Sequence, residues 1–223
     1  MKISGYMTEL QRKGAVLVVG GGIAGIQSAL DLADSGYKVY LVEKSPAIGG
    51  TMAQLDKTFP TNDCSMCILS PKLVECGRHL NIEVITNAEL KELKGEPGRF
   101  TAIVDKRPRY IDIDKCTGCG ECALVCPVEL PSAFDEGLAQ RKAIFRPFAQ
   151  AYPFAFCIDK ADCLECMQCV AVCEAEAIDH LMAQEDLELE VGSVILCPGF
   201  DEFDADIVSN YGHGTFPNVL TSI

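Results

Sequence analysis

The sequence has no tryptophan, three histidines and only 7% aromatic residues in 223 positions. Basic residues are scarce as well: 19 Lys and Arg stand against 32 Asp and Glu, a formal charge of -13. So acidic a chain is not expected to bind phosphate backbones or anionic membrane surfaces by charge attraction, which argues against a nucleic-acid partner. Long hydrophobic runs are missing too. The most apolar stretch near the start, Gly14 to Ala33, is interrupted by Gly20, Gly21, Gly22 and Gly25 and contains Gln27, Ser28 and Asp31, so no membrane span is expected. Met1 to Gly14 carries Lys2, Glu9, Arg12 and Lys13 with no apolar core, which predicts no signal peptide and a cytoplasmic, soluble chain.

Cysteine, by contrast, is abundant. There are 13, and without a secretory signal they do not read as a disulfide framework, because a reducing compartment keeps thiols free. Eight of the 13 fall in two windows, Cys116 to Cys126 and Cys163 to Cys173, which points to metal or redox chemistry.

The first unit is a βαβ pattern. Ala15 to Val19 is a short apolar strand that opens into Gly20-Gly21-Gly22-Ile23-Ala24-Gly25, and Ile23, Ile26, Leu30 and Ala33 recur at helical spacing up to Gly36. Lys38 to Glu43 returns as a parallel strand. Gly20, Gly22 and Gly25 match the dinucleotide fingerprint: one glycine for the tight turn, one for approach of a pyrophosphate and one for close helix packing. The phosphate charge would sit at the helix N-terminus. Glu43 ends the second strand 18 residues past Gly25, where a carboxylate accepts ribose hydroxyls, and Lys44 and Gly50 lie in the close-approach segment that follows. The fingerprint alone does not separate FAD from NAD. Residues 49–72 are expected to be irregular, a loop with short helical pieces, with Cys76 on a helix beyond it, a strand over 81–86 and a hairpin pairing 90–93 with 100–104.

Cys116-x2-Cys119-x2-Cys122-x3-Cys126-Pro127 is the spacing of a bacterial ferredoxin run, whose fourth cysteine ligates the other cluster. Cys163, Cys166, Cys169 and Cys173 repeat it at a constant offset of 47 residues, which implies a duplicated half-domain. The crossing predicts one 4Fe-4S cluster on Cys116, Cys119, Cys122 and Cys173 and a second on Cys163, Cys166, Cys169 and Cys126. Zinc also takes four thiolates, but its sites commonly use two separated pairs. Cys76, Cys157 and Cys197 read as small buried or loop thiols. Cys64-Ser65-Met66-Cys67 stays open among a redox dithiol, ligands of a cluster or metal completed elsewhere, and inert thiols.

Gly49-Gly50-Thr51 resembles the segment after the acidic strand in flavoproteins of the thioredoxin and glutathione reductase type, which implies FAD. Val194-Ile195-Leu196-Cys197-Pro198-Gly199 resembles a later motif of the same group, with Cys197-Pro198 where that group has Ala-Thr. Taken with Val18 to Gln27, Leu55 to Pro60, Asp63 to Leu69 and Arg107 to Asp112, the cluster-bearing chain resembles the A-type subunits of heterodisulfide reductase over nearly all its length.

That resemblance implies an incomplete thioredoxin-reductase-type FAD-binding α/β Rossmann-like fold over residues 1–106, an inserted α+β ferredoxin-like domain with two 4Fe-4S clusters over 107–182, and a return to the flavoprotein fold over 183–223. It implies an oxidoreductase component passing electrons between flavin and clusters, with bifurcation in some relatives. Expected partners are the B-type and C-type subunits, a hydrogenase or formate dehydrogenase and ferredoxin, as in methanogens, or a quinone-interacting oxidoreductase as in sulfate reducers. The chain is expected to be a fragment or a piece of a split subunit. Two other classes stand beside this one: a non-catalytic cluster relay, and a dithiol oxidoreductase centred on Cys64 and Cys67.

Overall fold

A computed structural model describes residues 13–221. The charged N-terminal stretch read above, Met1 to Arg12, lies outside the described residues. The apolar strand β1 (Ala15–Val19) runs into α1 (Ile23–Asp34), and β2 (Lys38–Glu43) returns beside β1 in parallel, Val16 opposite Val39 and Val18 opposite Leu41. With β3 (Ile82–Thr86) and the late strand β7 (Ser193–Leu196) they form a four-stranded parallel sheet in the order β7-β1-β2-β3. β1 is buried on both faces. Val16 and Val18 pack with Ile26, Leu30 and Leu41 on the helical side, while Leu17 packs with Val42, Ala102 and Val191 on the other. Such two-sided burial is what a near-continuous apolar strand in a parallel sheet implies.

The opposite layer is an antiparallel sheet in which β5 (Arg99–Lys106) is central between β4 (Ala88–Glu96) and β6 (Glu185–Val191). The hairpin expected over 90–104 is present and longer, closed by Pro97 and Gly98. β6 passes to β7 through Gly192 alone. A Cβ there would lie 2.3 Å from the Lys13 carbonyl, so only glycine lets the chain switch sheets this tightly.

One expectation is corrected in extent. The short helical pieces expected before Lys72 are part of one continuous helix, α2 (Ser65–Arg78), with Pro71 inside it. Proline costs an interior helix bond, but Leu69, Leu73 and Cys76 form a fully buried stripe against α1 and the sheet, and that burial outweighs the local penalty.

Residues 107–184 leave the antiparallel sheet at Lys106 and rejoin it at Glu185, which face each other across the β5–β6 ladder. This insert is α+β: two helices of one turn each, α3 (Glu121–Leu124) and α4 (Gln168–Val172), and short pairings such as Ile144–Phe145 with Cys157–Ile158. Its core is small and rich in sulfur. Ile111, Ile144, Phe156, Ile158 and Ala177 are buried with Cys122 and Cys169, and four more cysteines of the two runs pack against them. The insert docks on the first unit through Ile48 N–H donating to the Tyr152 carbonyl at 2.9 Å and the Tyr152 hydroxyl donating to the Gly77 carbonyl at 2.6 Å. Among the described residues no helix is long and apolar enough to cross a membrane.

Candidate functional site

The glycine turn sits at the C-terminal edge of the parallel sheet, where β1 hands over to α1. Of the three glycines that match the fingerprint, two are required by the packing of the turn itself. Gly20 has φ +105°, and a Cβ on it would lie 2.1 Å from the Cys197 carbonyl oxygen. At Gly25 a Cβ would meet the Gly20 carbonyl oxygen at 1.8 Å, so this glycine sets how closely α1 approaches the turn. Gly22 differs: its Cβ would find nothing nearer than the Gly50 Cα at 3.9 Å, and the space is filled by no protein atom. The first turn of α1 has neither a capping side chain nor an acidic residue, which leaves its N–H groups and dipole available to an anion.

Glu43 is 7% exposed at the end of β2. Its carboxylate accepts from the Gly21 N–H at 2.6 Å and from the Ser45 N–H at 2.8 Å, while the single proton of the Ser45 hydroxyl is shared between the carboxylate at 2.8 Å and the Ala47 carbonyl at 2.6 Å. Two backbone donors thus hold the carboxylate and leave lone-pair directions for a ribose hydroxyl. Gly50, at φ +57°, lies against Gly22, and Lys44, which follows Glu43 in the chain, is exposed. Gly21 and Ser45, which the fingerprint does not single out, therefore orient the acidic residue. These features fit a dinucleotide: a cradle that a methyl group would fill, an uncapped helix end and a buried carboxylate held by backbone.

The eight run cysteines gather around two voids. Cys116, Cys119, Cys122 and Cys173 line a cavity of about 630 Å³ together with Ile111 and Phe156. Cys126, Cys163, Cys166 and Cys169 line the other, a narrower one of about 20 Å³, with His180 at its edge. Each void thus takes three thiols from one run and the fourth from the other. Among the described residues no three His, Cys, Asp or Glu side chains converge closely enough to hold a single ion. At the wide cavity, thiols that surround a volume rather than a point fit a cluster better than zinc. Burial pushes the Cys122 thiol up to about 12 and raises Cys169 as well, so these groups stay neutral unless a metal displaces the proton.

The duplication extends to the backbone. Gly118 and Gly120 lie in the left-handed region at φ +70° and +93°, and their counterparts 47 residues on, Glu165 and Met167, adopt φ +52° and +59° despite their side chains. The wrapping of the loop, rather than residue preference, sets the conformation.

Cys64 and Cys67 stand apart from both voids. Cys64 caps α2, its Sγ accepting from the Cys67 N–H at 3.3 Å, and the two sulfurs are 2.7 Å apart. Hydrogen bonds from Cys67 lower the Cys64 pKa and the same contact raises that of Cys67. Cys76 and Cys157 are buried, each thiol pushed up to about 12 by desolvation, while Cys197 is half-buried beside the glycine turn.

The arrangement defines a class: a flavoprotein-type dinucleotide-binding unit carrying an inserted dicluster ferredoxin domain. Residues 15–64 match the FAD dependent oxidoreductase family and residues 115–178 match the 4Fe-4S dicluster domain. Over 93% of its length the chain is 55% identical to the A-type subunit of the H(2):CoB-CoM heterodisulfide,ferredoxin reductase of Methanothermobacter thermautotrophicus, covering 31% of that protein. Two iron-sulfur A-type subunits of CoB-CoM heterodisulfide reductase are similar to the same degree. The chain is 56% identical to the one numbered 2 in Methanopyrus kandleri and 53% identical to that of Methanocaldococcus jannaschii, over 93% of its length and 32% of each. The chain is similar to heterodisulfide reductase A-type subunits over nearly all of its own length, and it spans about a third of the length of these relatives. Its cofactors are FAD and two 4Fe-4S clusters. A partial likeness to the solved L-proline dehydrogenase of P. horikoshii has a TM-score of 0.37 at 24% identity, over 41% of this chain and 19% of that one.

Proposed function

We propose that this chain is the flavin and dicluster portion of a heterodisulfide-reductase-type complex, moving electrons between FAD and the two clusters. The carrying observation is the crossed arrangement of the eight thiols around two voids, in an insert that docks at Ile48, next to the Gly49 that bonds to the glycine turn. FAD supplies a carrier that exchanges electrons singly or in pairs, and the clusters supply single-electron steps.

The chain's residues do the rest. Gly22 and Gly50 open the backbone to a pyrophosphate, Gly20 and Gly25 hold the turn, Glu43 takes the ribose and Lys44 adds a positive charge nearby. Cys116, Cys119, Cys122 and Cys173 hold one cluster and Cys126, Cys163, Cys166 and Cys169 the other, while Phe156, Ile144 and Ile158 keep water from the sulfur. Ferredoxin, hydrogen and formate figure in the names of the relatives. We assign the same class of low-potential donors and acceptors here, with B-type and C-type subunits and a hydrogenase or formate dehydrogenase as partners. Anaerobic reconstitution tests the reading. Flavin bands with about eight irons per chain are the expected result; iron without flavin would leave the relay reading in its place, and zinc without iron would overturn both.

The contact between Cys64 and Cys67 favours a second, separate activity, a redox dithiol at the start of α2. Because its pKa is lowered, Cys64 should form thiolate at lower pH than an ordinary thiol, and alkylation should mark it before Cys67 and before the buried Cys76 and Cys157. Equal labelling of all four across the pH range would remove this reading.

A further inference from the structure

We propose that Arg109 is a positioning residue that sets the potential of the cluster held by Cys116, Cys119, Cys122 and Cys173, so that this cluster is the first of the two to accept an electron. The proposal rests on the assignment of those four thiols to a cluster.

Arg109 is 6% exposed, and among the described residues no carboxylate pairs with it. Its guanidinium spends its donors on neutral oxygens: the carbonyls of Ala155 at 3.3 Å and Phe156 at 3.2 Å, the Thr86 hydroxyl at 2.9 Å and the Pro46 carbonyl. Two of these belong to the insert and two to the sheet edge beside Glu43, so one buried cation spans the junction of the two units. The nearby Cys157 thiol, pushed up to about 12, supplies no counter-charge at neutral pH. A buried charge without an ionic partner is costly and persists where something else offsets it.

What offsets it lies behind Phe156. That residue, whose carbonyl Arg109 grips, also lines the wide thiol cavity. Arg146 stands on the same wall, 4.0 Å from the centre of the Phe154 ring and 5.5 Å from that of Phe156, with its guanidinium donating to the Gly118 carbonyl at 3.4 Å. It too has no carboxylate partner among the described residues.

The other void is surrounded differently. Lys160, beside Cys163, is paired with Glu165 at 2.5 Å, Arg141 is paired at 2.6 Å with Asp159, which follows the lining residue Ile158, and the His180 ring stands 3.6 Å from the Cys169 sulfur. Glu121 and Glu174 do line the wide cavity, but both are exposed. Charge in water is screened within about 8 Å, whereas a buried guanidinium acts through a low dielectric. The uncompensated cations therefore outweigh the carboxylates at the first cluster, and the paired ones at the second do not. The electron adds negative charge to the thiolate-ligated cluster, and that charge supplies the counter-ion Arg109 lacks.

The test is a redox titration of the reconstituted full chain followed by electron paramagnetic resonance. One electron passes from a reduced viologen mediator to the cluster; the mediator is oxidised by one electron, iron is reduced by one, and no bond or proton moves. Cys119→Ser, which alters the signal of one cluster alone, marks which resonance belongs to the wide cavity. Arg109→Gln keeps amide donors and removes the charge. It should lower the reduced fraction of the marked cluster at least tenfold at fixed potential, a shift of about 59 mV, and leave the other cluster in place; Arg109→Lys should restore most of it.

Equal shifts in both clusters, equal loss in the Lys and Gln variants, or no shift would overturn the proposal. Should Arg109→Gln lose its iron, Arg146→Gln decides: a smaller shift in the same direction supports the proposal and an unmoved potential defeats it. A wild-type chain that takes up no iron would defeat the cluster assignment, while two clusters with unmoved potentials would defeat only the role of Arg109.

Discussion

The dinucleotide cradle and the cysteine insert hold their shapes by opposite means. The cradle is shaped by backbone packed on a large apolar core: Leu17, Val18, Ile26, Leu41 and Val42 are almost wholly buried around it, and the glycines only prevent collisions. The insert has no comparable core. Its helices are one turn long, and the buried side chains it offers include the thiols themselves. A ligand fills a finished space in the first region, whereas in the second it supplies part of the packing and is linked to folding.

The sharpest way to break this contrast is to withhold iron. Without clusters, or in Cys122→Ser, residues 107–184 should lose nearly all amide protection in hydrogen exchange while β1, α1 and β2 keep theirs; equal loss in both regions would show the cradle to depend on the insert. Next in size is Gly25→Ala. Its methyl group would lie 1.8 Å from a backbone oxygen that cannot move aside, so about 4 kcal/mol or more of stability should be lost, measured by chemical denaturation.

Gly22→Ala probes the same turn with the opposite outcome. Because the added methyl meets nothing closer than 3.9 Å, the denaturation midpoint should hold while FAD affinity, read by flavin fluorescence, falls at least tenfold, about 1.4 kcal/mol. The smallest effect belongs to the insert. Met167→Gly replaces a side chain held at φ +59° and should stabilise the cluster-loaded chain by about 0.5 kcal/mol, the relief of left-handed strain being partly offset by unfolded-state entropy. Denaturation of the loaded protein measures it.

Much of this was legible in the residues because it is local. The strand over 15–19, the helix from Ile23, the strand over 38–43 and the hairpin before Lys106 follow from periodicity and turn chemistry, and both cysteine runs follow from spacing alone. α2 was legible only as short helical pieces, because Pro71 signals a break, and the burial of Leu69, Leu73 and Cys76 is what joins them into one helix. Arg109 was silent. Arg107 to Asp112 stands out in the sequence only as part of a resemblance, and nothing in the segment marks Arg109 as buried while Arg107 is exposed.

By itself the sequence determined the chemistry: glycines where a backbone must come close, a carboxylate at the end of the second strand, and eight thiols in two runs of one spacing. Spacing constrains local geometry because a few residues can span only a few ångströms. Tertiary structure alone decided which cations around the two voids are paired with carboxylates and which are not, and that a single buried cation bridges the two units. Those are properties of burial, and burial is set by elements far apart in the chain that meet only when the whole core forms.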